Sequence, residues 1–189
     1  KQALDDKKHL PQVSKMKLLP DIDKHGSVTD VLEKDMQLMV QIAKEPISSK
    51  GPRLTTEITF TGRFLVLIPF GDKISVSQKI KTTEEKLRLR QLVESIRSKN
   101  FGVIVRTSAE GKRVAELNHE LKTLLKCWED TVAKAQSSTV PSLIFEEESR
   151  IVSMLRDVFS PSFESIYVND AETYGQIKKY VDLIAPDRA

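Results

Sequence analysis

The chain has 189 residues, 39% hydrophobic and 30% charged, with 30 Lys+Arg against 27 Asp+Glu. That is enough for one or two domains with a real core, yet an apolar run such as Leu65 to Phe70, extended by Phe64, falls far short of the roughly 20 residues a bilayer-spanning helix requires. The single cysteine, Cys127, excludes an intramolecular disulfide framework and a multi-cysteine zinc site within the chain, which fits an intracellular protein, and the start at Lys1, without Met or an apolar signal segment, reads as an excised piece of something longer.

Residues 1–52 read as loop and short strand. Gln2 to Lys8 is polar, Pro11 and Pro20 interrupt the chain, and Asp21 to Gly26 is turn-rich. Met36 to Ala43 is a strand-like run that stops at Lys44-Glu45-Pro46, where proline removes a ladder donor. Residues 53–136 are better organised. Arg53 to Phe60 places Leu54, Thr56, Ile58 and Phe60 on one face of a half-buried strand, and Gly62 permits a tight reversal into Phe64 to Pro69, a β-hairpin pattern. Lys73 to Ile80 offers a further short strand. Thr83 opens a helix with Leu87, Leu89, Leu92, Val93 and Ile96 as its apolar positions; Asn100-Phe101-Gly102 ends it, and Val103 to Val105 is a buried strand. A second helix runs from about Lys112 to Gln136, with Val114, Leu117, Leu121, Leu124, Leu125, Trp128 and Val132 at helical spacing. These patterns predict an α+β arrangement, a small antiparallel sheet covered by helices.

Gln136 to Pro141 is a linker by composition. Beyond it the pattern predicts a strand at Leu143 to Phe145, a helix from Glu147 to Val158 with Ile151, Val152, Leu155 and Val158 inward, a strand at Ser165 to Val168, and a helix from Asp170 to Ile184. Strand–helix–strand–helix implies a parallel βαβα crossover unit. Its two strands make an incomplete sheet, part of a larger domain.

Catalytic constellations are scarce. His9 and His25 lie in the irregular segment, and His119 on the polar side of the long helix. Cys127, beside Trp128, reads as a structural thiol rather than a nucleophile. Glu146-Glu147-Glu148 offers either metal ligands or, the commoner use of acids at a helix start, complements to the dipole. Neither common phosphate-binding glycine loop is present in the sequence. Charge is unevenly spread: residues 44–113 hold 15 basic and seven acidic side chains, residues 114–189 eight and 13. The basic stretch suits a face that meets phosphate, and ordinary solvated Lys and Arg would give the same count.

The most informative stretch is Phe101 to Gly111. An apolar strand delivers Arg106 and Thr107 to its end just before a helix, and Thr107 with Glu110 has capping-box spacing. A guanidinium fork, a hydroxyl and amides at a helix N-terminus are what a phosphate group needs. The alternative is that Arg106 pairs with a surface acid and Thr107 only caps.

Lys50-Gly51-Pro52-Arg53-Leu54-Thr55-Thr56, then Gly62-Arg63-Phe64-Leu65-Val66-Leu67-Ile68-Pro69, then Gly102-Val103-Ile104-Val105-Arg106-Thr107 with Glu110-Gly111, resemble the ribonuclease E/G family in order and spacing, as does Trp128 late in the long helix. The resemblance extends from about Asp30 to Ala189. It implies that residues 1–52 are the C-terminal remnant of an OB-fold RNA-binding domain, residues 53–136 the family's 5′-sensor, and residues 137–189 part of its ribonuclease H-like subdomain. It further implies 5′-monophosphate contacts at Gly62, Val66, Arg106 and Thr107, and an RNA contact at Lys50. Where the family often has two arginines after Ile-Ser, this chain has Ser77-Gln78-Lys79-Ile80, so a second guanidinium contact is not expected there. Members cut single-stranded RNA through a magnesium ion held by two aspartates on a deoxyribonuclease I-like domain, and join subunits through a zinc link from a Cys-Pro-x-Cys motif. Neither motif occurs before Ala189; Asp170 is a lone carboxylate. The resemblance therefore implies a cytoplasmic, homo-oligomeric, magnesium- and zinc-dependent parent in RNA processing and decay. The piece itself is expected to bind 5′-monophosphorylated RNA without a metal or cofactor and without cutting it. The rival expectation is an RNA-binding adaptor with no nuclease parent.

Overall fold

A computed structural model of the chain describes Val13 and residues 25–147, 149–159 and 163–184. The expectations for Gln2 to Lys8, His9, Pro11, Pro20 and the beginning of the turn at Asp21 lie outside the described residues. The architecture is mixed α+β, and the chain divides into two compact units, Lys1–Ile144 and Phe145–Ala189.

In the first unit the first strands among the described residues form a hairpin. β1 (Gln41–Lys44) pairs antiparallel with β2 (Arg53–Thr55), Gln41 opposite Thr55 and Ile42 opposite Leu54. Between them Ile47 and Lys50 exchange backbone hydrogen bonds of 3.1 and 3.0 Å, closing a turn. The run from Met36 thus narrows to four residues, and the expected strand from Arg53 to Phe60 splits in two. The Thr55 hydroxyl accepts the Glu57 N–H at 3.1 Å, which turns the chain away from the ladder. The Gln41 side-chain amide then serves Thr59, accepting its N–H at 2.8 Å and donating to its carbonyl at 3.2 Å. Backbone pairing resumes only at β3 (Phe60–Thr61).

A second sheet has the order β3–β4–β6–β5, where β4 is Leu65–Pro69, β5 Ile74–Val76 and β6 Phe101–Val105. β4 pairs antiparallel with β3 and β6; β5 pairs parallel with β6, Ile74 opposite Val103. The sheet is therefore mixed rather than antiparallel. Parallel neighbours need a crossover, and α1 (Thr83–Ile96) supplies it between β5 and β6. The crossover expected in the C-terminal segment occurs here instead.

Alternation along β4 buries Leu65, Leu67 and Pro69 and leaves Val66 and Ile68 half-exposed on the other face. α1 lies against β5 and β6, and α2 (Val114–Ser137) against β3 and β4. Leu65, Leu67, Val103 and Val105 from the sheet, Leu89 and Val93 from α1 and Leu117 from α2 have no exposed surface; each such side chain contributes about 1.5–3 kcal/mol by leaving water. Leu87, expected inward, is exposed: it falls off the stripe that Leu89 and Val93 share, four residues apart. Trp128 closes the end of the core, edge-on to Phe60 at 6.2 Å and Phe70 at 5.5 Å. Beside it Gly71 and Gly102 are in close approach; a Cβ on Gly71 would sit 2.9 Å from the Gly102 backbone, so a side chain there would push β4 and β6 apart.

The second unit contains α3 (Arg150–Val158) and α4 (Ala171–Ile184). Val152 and Leu155 from α3 and Ile177 and Tyr180 from α4 are buried together, with Ile166, Val168 and Val181 packed against them. Ile151 and Val158, expected inward, are exposed; with one neighbouring helix only a narrow stripe is covered. α3 starts at Arg150 with Ser149 before it, so Glu146 and Glu147 precede the helix rather than form its first turn. Leu143 to Phe145 and Ser165 to Val168 join no ladder among the described residues. Ile166 and Val168 do face the helices while Tyr167 is 93% exposed, a strand-like alternation without a paired backbone among the described residues. No helix among the described residues is long and apolar enough to cross a membrane.

Candidate functional site

The end of the second sheet where β4 begins and β6 finishes brings together Gly62, Arg106 and Thr107. Arg106 continues β6 by one residue, its N–H donating to the Phe64 carbonyl at 2.8 Å, and its guanidinium Nη1 donates to the Gly62 carbonyl at 2.7 Å. Thr107 follows, exposed, its hydroxyl 3.0 Å from that of Ser77. Ser77 is held by its own N–H, which donates to Val105 at 2.9 Å. Val66 lies mid-strand on the half-exposed face, opposite Ile104 and one pair inward from the Arg106 end. Lys50 stands on the other sheet's turn, between β1 and β2.

Thr107 is not the cap of the long helix. It begins a single 3-10 turn, Thr107–Ala109, with Glu110 at its end, while α2 starts at Val114. There the Glu116 carboxylate accepts the Arg113 N–H at 3.0 Å and Lys112 Nζ at 2.9 Å, which draws its pKa down. The stretch from Thr107 to Arg113 is therefore a loop that begins with this single turn, and α1 fixes it. Glu85 accepts the Gly111 N–H at 2.8 Å, and Arg88, paired with Glu85 at 2.6 Å, donates Nη1 to the Lys112 carbonyl at 3.0 Å. From the other side the Ser108 hydroxyl donates to the Arg63 carbonyl.

The turn from Gly62 to Leu65 holds a residue that sequence reasoning missed. Glu120, on α2, accepts three consecutive backbone N–H groups: Arg63 at 2.6 Å on Oε1, and Phe64 and Leu65 at 2.8 Å each on Oε2. Burial pushes its carboxyl pKa up; the three amides and the Arg106 charge pull the other way. A Cβ on Gly62 would sit 2.7 Å from Glu120 Cδ, so a side chain there would push this carboxylate off the amides. The signal was present in the sequence: Glu120 falls on the apolar stripe of Leu117, Leu121 and Leu124. Over the Phe64 ring lie Arg63 at 5.5 Å and Lys112 at 5.0 Å, so positive charge gathers around this turn.

This chain matches the Ribonuclease E/G family model over residues 59–189. The chain belongs to the ribonuclease E/G family. It is 36% identical over 156 residues to "Ribonuclease E" of Nostoc sp. and 32% identical over 161 residues to "Ribonuclease G" of Haemophilus influenzae, covering 82% and 85% of this chain. "Ribonuclease G" of Escherichia coli K12 is 29% identical over 160 residues, again 85% of this chain. The alignments cover 23% of the first relative and 33% of the other two, so the chain corresponds to about a quarter to a third of their length.

The magnesium and zinc that the family implies find no fit among the described residues. No three His, Cys, Asp or Glu side chains converge as ligands there. The Thr173 side chain, and then the Thr173 N–H that donates to it at 2.8 Å at the start of α4, lower the pKa of Asp170; Cys127 is half-buried in α2.

Proposed function

We propose that residues 53–136 are the 5′-sensor of a ribonuclease E/G-type endoribonuclease, and that Arg106 and Thr107 bind the terminal monophosphate of single-stranded RNA. The observation that carries it is the joint placement of these two residues: a guanidinium fixed on the Gly62 carbonyl and a hydroxyl beside that of Ser77, where β6 ends. Arginine and two hydroxyls supply charge and directed donors for phosphate oxygens. Val66 lines the adjoining face. Lys50 would meet the RNA further along, and Gln78 and Lys79 stand where family members often carry two arginines.

In the same proposal residues 1–52 are the end of an OB-fold RNA-binding domain and residues 137–189 part of a ribonuclease H-like subdomain. The parent, a cytoplasmic homo-oligomer, hydrolyses RNA elsewhere in its length with magnesium and links its subunits through zinc. This piece recognises the RNA end without cleaving it. The relatives' names, all ribonucleases, favour a nuclease parent over a free-standing adaptor.

The test is a binding titration at fixed salt of 5′-monophosphorylated and 5′-hydroxyl single-stranded RNA against wild type, Arg106→Ala, Arg106→Lys and Thr107→Val. A charged hydrogen bond is worth about 1.5–3 kcal/mol, so Arg106→Ala should weaken the monophosphorylated RNA roughly 10- to 150-fold. Arg106→Lys should recover part of that, keeping the charge without the fork. The 5′-hydroxyl RNA should change much less. Equal weakening of both RNAs would reduce Arg106 to one member of a general basic face and end the sensor assignment.

A further inference from the structure

We propose that Glu120 is a positioning residue for Arg106, acting through the turn that joins β3 to β4. A two-residue hairpin turn is normally closed by two reciprocal backbone bonds between its flanking residues. Here only one is made, from the Gly62 N–H to the Leu65 carbonyl at 2.8 Å. The other half is divided between two side chains. The Leu65 N–H goes to Glu120 at 2.8 Å, and the Gly62 carbonyl, which it would have bonded, accepts Arg106 Nη1 at 2.7 Å. Glu120 thus withdraws the competing donor and leaves that carbonyl to anchor the guanidinium.

Three features make this a built arrangement. Both carboxylate oxygens are used, on three N–H groups in succession, the amide pattern that suits an anion. The carboxylate comes from α2, whose Leu117, Leu121 and Leu124 are buried in the core, so the turn is referenced to the rigid part of the unit. A Cβ on residue 62 would meet all three atoms of the Glu120 carboxylate at 2.7–3.0 Å, so a side chain there would displace the carboxylate from its three amides. One consequence bears on the ligand. The amides of Arg63, Phe64 and Leu65 already hold an anion, so an incoming phosphate is received by Arg106 and Thr107 rather than by this stretch of backbone.

This rests on the proposal that Arg106 and Thr107 bind the 5′-phosphate, and the experiment separates the two. The full 189-residue chain and its Glu120→Gln, Glu120→Asp and Arg106→Ala variants are titrated with 5′-monophosphorylated and 5′-hydroxyl RNA of one sequence. Backbone amide NMR shifts of Arg63, Phe64 and Leu65 are recorded for each. Glu120→Gln keeps size and shape but loses the charge and one acceptor; it should move those three shifts upfield and weaken monophosphate binding about tenfold, the low end for a charged hydrogen bond. Binding of the 5′-hydroxyl RNA should change less than about twofold, within what a surface substitution away from a site does. Glu120→Asp restores the charge on a shorter arm and should recover part of the selectivity; it also serves as the folded variant should the glutamine chain not fold. If Arg106→Ala abolishes selectivity while a folded Glu120 variant with displaced amide shifts retains it in full, Glu120 only braces the turn and the inference is overturned while the sensor stands. If Arg106→Ala leaves selectivity intact, the sensor proposal fails and this one falls with it.

Discussion

The two units differ in how their extended segments end up. In the first, β4 lies between β3 and β6, and the pairing of Leu65 with Val105 and Leu67 with Val103 sets two inward rows with no exposed surface. In the second, Ser165 to Val168 alternates just as cleanly but has no ladder partner among the described residues, and the core there consists of Val152, Leu155, Ile177 and Tyr180 at 5–8% exposure. The helices form in both units because a helix satisfies its backbone within its own sequence, whereas a strand depends on a neighbour. The presence of that neighbour, rather than the quality of the pattern, separates β6 from Ser165 to Val168.

Substitution in the two cores gives the largest contrast. Leu67→Ala, at a fully buried position on the central strand, should cost about 2–5 kcal/mol, with Leu155→Ala at or below the lower end of that range. Urea unfolding followed by Trp128 fluorescence reports the first unit, since that is where Trp128 is buried. It should move for Leu67→Ala and stay nearly still for Leu155→Ala. Equal shifts would mean that the two units unfold as one.

Amide hydrogen exchange sharpens the comparison without mutation. Amides in Leu65–Pro69 and Phe101–Val105 should exchange at least about a hundredfold more slowly than that of Tyr167, because the former open only with the sheet. Comparable protection would show that Ser165 to Val168 had found a strand partner in solution.

The smallest effect is electrostatic. Glu85 binds Arg88 and the Gly111 N–H, and these bonds, the arginine first, hold its carboxyl at about 2 against an ordinary 4.5. A carboxyl depressed on folding stabilises the fold above its unfolded value, and that stabilisation is lost as pH falls from about 4.5 towards 2. Because Arg88 is 40% exposed, the pair is worth at most about 1 kcal/mol. Stability measured against pH should show a flatter acid limb for Glu85→Gln than for wild type; identical limbs would remove Glu85 from the account of how the Thr107–Arg113 loop is held.

The residues themselves determined the helices, the inward rows of β4 and β6, the linkage of Trp128 to the core, and the delivery of Arg106 and Thr107 to the end of a strand. All follow from periodicity and chain neighbours. Tertiary structure decided what depended on distant partners. It split Arg53 to Phe60 because Gln41 took over Thr59, made β5 parallel to β6 through α1, and turned Thr107 from a helix cap into a loop residue facing Ser77. It also decided Glu120. Its place on an apolar stripe was legible, but its role was not, since the three amides it holds lie 55 to 57 residues earlier and meet it only when α2 packs against the hairpin. Hydrogen bonds between remote groups leave no local trace in a sequence, because each group alone looks like any other solvated amide or carboxylate until the core brings the two together.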